Sequence, residues 1–66
     1  MPKNLALKMA ILESGLTQIE VAKAAAMHES RLSHIINGHR EANKTERESL
    51  ARVLKRTIAR LFPKAA

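Results

Sequence analysis

The chain has 66 residues, no cysteine, and twelve Lys and Arg against six Asp and Glu. So short a chain builds one modest core and hardly encloses the cleft of at least about 300 Å³ that substrates occupy, so we expect no enzyme. The absence of cysteine excludes disulfides and thiolate metal sites. The formal charge of +6 favours a polyanionic partner.

The longest apolar runs have four residues, 9–12 and 24–27, whereas a membrane span takes roughly 20. We therefore expect no membrane contact, and the lack of cysteine is compatible with a cytoplasmic location. Phe62 is the one aromatic residue, which argues against stacking on single-stranded nucleic acid.

Helical periodicity throughout predicts an all-α domain of five short helices over residues 1–66, with a core from about 5 to 62. The first helix runs from about Asn4 to Ser14 and stops at Gly15. Its inner face consists of Leu7, Ala10 and Ile11. A second apolar stripe, consisting of Leu5, Met9 and Leu12, indicates either a helix buried on much of its circumference or a self-association face, and we favour burial.

The second helix opens with a capping box of Thr17 and Glu20 and ends near Ala24 or Ala25. A third helix spans about Glu29 to Asn37 and is closed by Gly38. Two short helices separated by three or four residues cross steeply. This crossing buries Val21, Ala22, Leu32 and Ile35 and leaves a polar flank on the third helix, which fits a DNA major groove about 12 Å wide.

A second capping box, Thr45 with Glu48, is expected to open a fourth helix. That helix buries Leu50, Val53 and Leu54. Thr57 is expected to cap a last short helix that carries Ile58, Leu61 and Phe62. Leu61 and Phe62 either contact a second copy, which is our first choice, or cover the domain's own core.

The segment 16–40 closely resembles the phage repressor and Cro-like helix-turn-helix family, and the likeness extends over about residues 7–62. It rests on a spaced set of residues: Leu16-Thr17-Gln18, Val21-Ala22, Leu32-Ser33, Ile35, Gly38 and Arg40. The resemblance implies a sequence-specific, double-stranded DNA-binding transcriptional regulator, acting as a repressor on a palindromic operator without a cofactor.

The resemblance also implies roles for single residues. Base edges would be read by Glu29, Ser30, Arg31 and His34, and phosphates would be contacted by Thr17, Gln18, Ser33, Asn37, His39, Arg40 and Lys44. Each has a structural alternative: Gln18 as a helix cap, Arg31 paired with a nearby Glu, His34 as an ordinary exposed imidazole, and Glu29 turned away from DNA.

The chain departs from the family at two positions. Ala26 stands where the family has a turn Gly, so we expect a positive φ at Ala26. His28 stands where the family favours a Ser or Thr cap, which weakens the start of the third helix.

Two further interpretations concern partners and metals. The three His residues lack i, i+4 spacing and lack clustered carboxylates, so we expect no metal site. Three or four base contacts do not give enough specificity to select one operator among the many nonspecific sites of a genome. We therefore expect a homodimer, at least on DNA. The alternative function is an antitoxin that binds a partner toxin and represses its own operon.

Overall fold

The computed structural model describes residues 3–63. Its helices, in chain order, are α1 (Leu5–Ser14), α2 (Gln18–Ala24), α3 (Glu29–Ile36), α4 (Lys44–Leu54) and α5 (Ile58–Leu61), and no strand occurs among the described residues. The predicted all-α class is confirmed. The ends predicted for the first three helices lie within one residue of the observed ends.

The core is built around one leucine from each of four helices. Leu7, Leu32, Leu50 and Leu61 are almost completely buried, and Val21 adds a fifth buried side chain from α2. Around these side chains α2 packs on α3 and α4, while α5 packs on α1 and α4. The apolar sides of α2 and α3 therefore pack into the core.

Asn4 connects three helices at once. Its side-chain oxygen accepts a hydrogen bond from the Leu7 amide and caps α1, and its side-chain nitrogen donates to the carbonyl of Leu61 at 2.9 Å. Its backbone amide donates to the carbonyl of Ile36 at 2.7 Å. The start of α1 is thus fixed against the ends of both α3 and α5.

Ala26 has a φ of +58°, as the sequence predicted for the turn after α2. The Met27 amide donates to the Ala22 carbonyl at 2.9 Å, and the Ala26 amide donates to the Lys23 carbonyl at 3.0 Å. This pair of bonds is the Schellman arrangement, which requires a left-handed residue after the helix. Ala26 therefore adopts a conformation that normally favours glycine.

The predicted start of α4 is wrong. The capping box consists of Asn43 and Glu46, not of Thr45 and Glu48. The Asn43 side chain accepts from the Glu46 amide at 2.8 Å, and the Glu46 carboxylate accepts from the Asn43 amide at 2.9 Å. Both pairs have the required spacing of three residues, and starting at Asn43 adds helical hydrogen bonds ahead of Thr45.

Two predictions about apolar surfaces are also wrong. The outer stripe of α1 is exposed, because α1 packs with its opposite face: Leu5 is 63% exposed and Leu12 64% exposed. Conversely, Leu61 and Phe62 are buried in the core. Their side chains cover the domain's own interior, so α5 does not offer them to a second copy. Val53, expected in the core, is half-buried against it.

Candidate nucleic-acid interface

A four-residue turn, 25–28, separates α2 from α3, within the length predicted from the sequence. Val21 and Ala22 of α2 and Leu32 and Ile35 of α3 are all buried. Since every apolar side chain of α3 belongs to this inner side, the remaining side chains of the helix form a polar flank. The arrangement is a helix-turn-helix.

The polar flank of α3 is open to solvent. Glu29, Ser30 and His34 are exposed, whereas Arg31 and Ser33 are half-buried. His28 occupies the cap position of α3 but makes no side-chain capping bond, as its substitution for Ser or Thr predicted. An exposed polar face at the amino-terminal end of a short helix is the part that enters a major groove in helix-turn-helix proteins.

The first residues of α2 and α3 lie against each other. The Gln18 side-chain amide donates a hydrogen bond to the Glu29 carboxylate at 2.6 Å. The Thr17 hydroxyl accepts from the Glu20 amide as the cap of α2 and keeps its own O–H group available as a donor. The carboxylate of Glu29 therefore occupies one donor of Gln18, and a phosphate would compete with it.

Arg31 is engaged by the protein itself. Its Nε donates to one oxygen of Glu46 at 2.9 Å, and its Nη2 donates to the other at 2.8 Å. The same Nη2 donates to the carbonyl of Glu41 at 3.1 Å. The guanidinium thus faces α4 and the loop before it. The base-reading role of Arg31 stays a prediction, and Glu46 is the competitor for it.

The pair also sets the ionisation of its members. The hydrogen bonds from Arg31 lower the pKa of the Glu46 carboxyl below its ordinary value. The hydrogen bond to Glu46 in turn raises the pKa of the Arg31 guanidinium. Elsewhere, the backbone and side chain of Thr17 lower the pKa of Glu20 in the first capping box.

The chain after α3 folds back onto the end of that helix. The amides of His39 and Arg40 both donate to the carbonyl of His34, at 2.9 and 3.3 Å. The rings of His34 and His39 then meet edge to face, with centroids 6.1 Å apart. A predicted base reader and a predicted phosphate contact are therefore neighbours.

Two other predicted phosphate contacts, Ser33 and Asn37, are joined by a weak side-chain hydrogen bond of 3.4 Å. Arg40 and Lys44 are exposed, and Lys44 is the first residue of α4. Arg40 lies within the loop that connects α3 to α4, and Lys44 follows directly after that loop. They add positive charge next to the polar flank of α3.

Sequence reasoning missed Arg47, and it allowed Arg31 a glutamate partner, which the structure confirms, without identifying that partner as Glu46. Arg47 donates to the carbonyl of Ala42 at 2.6 Å, and Glu46 binds Arg31. The spacing of Asn43 and Glu46 was a usable signal for a capping box. No local pattern could have predicted a contact that joins residues fifteen positions apart.

Among residues 3–63 no group of three His, Asp or Glu side chains converges as a metal site would. Within the same part of the chain, no helix combines the length and apolar character that crossing a membrane requires.

Fold and exposed flank together define a DNA-binding protein of the helix-turn-helix class. Comparison with known families gives the same result, because residues 7–61 match the family described as helix-turn-helix. The chain therefore belongs to this family, of the Cro and lambda-repressor type, which confirms the resemblance seen in the sequence. The family consists of regulators that bind double-stranded DNA, so this chain is a DNA-binding transcriptional regulator. A search among curated proteins found no match.

Proposed function

We propose that this regulator is a repressor that binds an inverted-repeat operator as a homodimer, with α3 of each copy in a major groove. The observation that carries the proposal is the exposed polar flank of α3, formed by Glu29, Ser30 and His34. Serine and histidine accept and donate hydrogen bonds to several base edges, and a glutamate accepts from cytosine N4. Arg31 joins these base readers only by leaving Glu46.

The phosphate contacts of this proposal surround that flank. Gln18 and Thr17 lie at the amino-terminal end of α2, where free amides and the helix dipole favour an anion. The last turn of α3, the loop after it and the first residue of α4 supply the remaining contacts, which are Ser33, Asn37, His39, Arg40 and Lys44. Contacts of this kind fix the position of the protein on DNA but carry no sequence information.

A homodimer is required by the energetics of the site. Three or four base-reading side chains discriminate by about 1–3 kcal/mol each, and a genome offers roughly 10⁶ or more competing sites. Two copies related by a two-fold axis double the number of base contacts. Their half-sites then lie about one helical turn, 34–36 Å, apart.

Selection of bound sequences from random duplexes tests the proposal. We expect an inverted repeat, which establishes specificity and symmetry together. Ser30→Ala and His34→Ala should each relax the preference at particular base pairs. Lys44→Ala should weaken binding to all sequences alike and reduce the salt slope by about one.

Arg52→Ala is the matched control for Lys44→Ala, because Arg52 is an exposed cation in the last turn of the same helix. We expect it to leave the salt slope nearly unchanged. Failure of the purified protein to bind any duplex at low salt would refute the proposal. Selection of unrelated, non-repeated sequences would refute the two-fold operator.

An antitoxin role is the second candidate, because the exposed stripe of α1 offers an apolar surface for another protein. An antitoxin would repress its own operon through the same α3 and bind its toxin elsewhere. Stable co-purification of a second, different chain when neighbouring genes are expressed together would favour this candidate.

A further inference from the structure

We propose that the outer stripe of α1, formed by Leu5, Met9 and Leu12, is the contact surface between two copies of this chain. The two α1 helices then lie side by side and parallel. The inference deepens the proposed function by giving a surface for its dimer. The sedimentation experiments below do not depend on the proposed function, whereas the DNA-binding experiments do.

The stripe is a continuous surface on one side of a regular helix. Its residues follow one another at intervals of four and three positions, so they share one face of α1. At about 100° per residue this face lies opposite the one that buries Leu7 and Ile11. With 63%, 52% and 64% of their surfaces exposed, the stripe residues are among the most exposed large apolar side chains described. An apolar face of this kind marks an interaction site.

The charges beside the stripe favour a second copy in parallel orientation. Intervals of four and three place the stripe residues at the a and d positions of a heptad. Lys8 then falls at a g position, and Glu13 at the e position that follows it. In parallel helix pairs, a g residue of one chain faces the next e residue of the other. Two Lys8–Glu13 pairs would thus flank the contact, one on each side.

Both flanking residues are accessible to a second copy. Lys8 and Glu13 are exposed. Glu13 lies 3.6 Å from Arg56, but 59% of its side chain is exposed, so it can serve Lys8 of a second copy as well. On the Glu13 side, α1 and α5 leave a shallow depression of about 180 Å³, lined in part by Ala6 and Ala10.

The size of the surface predicts a weak dimer. The helix has ten residues, about 15 Å in length, and offers fewer than two heptads. Interfaces of such limited area belong to transient associations. On an operator, however, the two copies are held close together, and the high effective concentration makes a weak contact sufficient. The inference therefore predicts a protein that dimerises chiefly on DNA.

A second copy on the stripe and DNA on the polar flank of α3 can be bound at the same time. Helix α1 contacts α3 through its core side, since the Asn4 amide binds the Ile36 carbonyl and Leu7 is buried. The stripe points away from that contact. A second copy on α1 therefore leaves Glu29, Ser30 and His34 exposed for DNA.

Sedimentation equilibrium of the purified protein, without DNA and up to millimolar concentration, tests the surface. We expect a monomer–dimer equilibrium. Leu5→Gln and Leu12→Gln should each weaken the dimer by about tenfold or more, because each substitution removes an apolar side chain from both copies of the symmetric dimer. Ile19→Gln is the matched control, because Ile19 is an exposed apolar residue outside α1. It should leave the dimer unchanged, and thermal melting should show all three variants folded.

Charge reversal tests the orientation. Lys8→Glu places two acidic residues opposite each other, and Glu13→Lys places two basic ones, so each single change should weaken the dimer. The double variant restores opposite charges and should recover the wild-type dissociation constant. Equal weakening by the single and double variants would refute the parallel pairing.

Duplexes with one and two half-sites separate this inference from the proposed function. Leu12→Gln should bind a single half-site like the wild type and lose about tenfold in affinity for the full operator. Failure to bind any duplex with an intact dimer would refute the proposed function and leave the inference standing. A wild type that stays monomeric at millimolar concentration, and binds two half-sites without cooperativity, would overturn the inference. The inference would also be overturned if the stripe bound only a different protein chain and not a second copy.

Discussion

Arg31 and Glu46 hold each other through two side-chain hydrogen bonds of 2.9 and 2.8 Å, although fifteen residues separate them in the chain. The same glutamate also closes the capping box of α4 by accepting the amide of Asn43. Helix α3 is thereby tied directly to the start of α4. The pair thus spans the loop that carries the proposed phosphate contacts.

The pair predicts a positioning role for Arg31. We expect Arg31→Ala and Glu46→Ala each to lower the free energy of unfolding, with a combined effect smaller than the sum of the two, because both remove the same contact. Urea denaturation of the two single variants and the double variant measures this coupling. Additive effects would show that the two side chains do not interact in solution.

DNA binding by the same variants decides between positioning and base reading. If Arg31 positions the loop, both substitutions weaken binding to all sequences alike. Glu48→Ala is the control, because it removes the same charge from an exposed place on the same helix. A loss of at least about fivefold at one base pair in Arg31→Ala, but not in Glu46→Ala, would instead establish the guanine contact implied by the family resemblance.

The corrected start of α4 predicts unequal effects of two cap substitutions. Asn43→Ala should lower the free energy of unfolding by about 1 kcal/mol, because it leaves the Glu46 amide without its acceptor. Thr45→Ala should change stability much less, since Thr45 is an exposed residue inside the helix. Thermal or urea unfolding of the two variants makes the comparison, and the reverse order would restore the start first expected from the sequence.

The lowered pKa of Glu46 predicts a dependence of stability on pH. The Arg31 hydrogen bonds favour the charged carboxylate in the folded state, whereas in the unfolded chain the group titrates near its ordinary value of 4.5. The stabilisation is therefore complete well above pH 4.5 and is lost as the pH falls through the lower, folded pKa. Glu46→Gln should flatten the fall in stability below pH 4.5, and Glu48→Gln should do so less. Urea titrations from pH 3 to 7 test this, and equal curves for the two variants would contradict it.

The sequence was a good guide wherever local chemistry decides the structure. The cap at Thr17 and the stop at Gly15 follow from residue types at fixed spacing, whereas the turn at Ala26 was implied by the family resemblance, and the structure has all three. The inner faces of the helices followed from periodicity in the same way. The helix-turn-helix could be predicted because it is built from these local signals.

The errors concern choices between two patterns that the sequence satisfies equally. Asn43–Glu46 and Thr45–Glu48 both have the spacing of a capping box. The chain uses the first pair, which starts the helix earlier and whose Glu46 also binds Arg31. Similarly, α1 is apolar on two opposite sides, and periodicity does not tell whether the second side is covered as well. Leu61 and Phe62 could have served either the core or a partner, and the space between α1 and α4 takes them.

Ala26 and Lys55 provide the last prediction, because both have a left-handed backbone, with φ of +58° and +56°. Left-handed geometry costs a residue with a Cβ about 1–2 kcal/mol, and glycine avoids this cost. Glycine also makes the unfolded chain more flexible, which offsets part of the stabilisation. We therefore expect Ala26→Gly and Lys55→Gly each to stabilise the fold by about 0.5–1 kcal/mol. Ala59→Gly is the control, because Ala59 is exposed within α5, where glycine should destabilise by about 0.5–1 kcal/mol. A urea midpoint that falls for Ala26→Gly would show that the turn between α2 and α3 has another conformation. The register of α3 would then have to be revised as well.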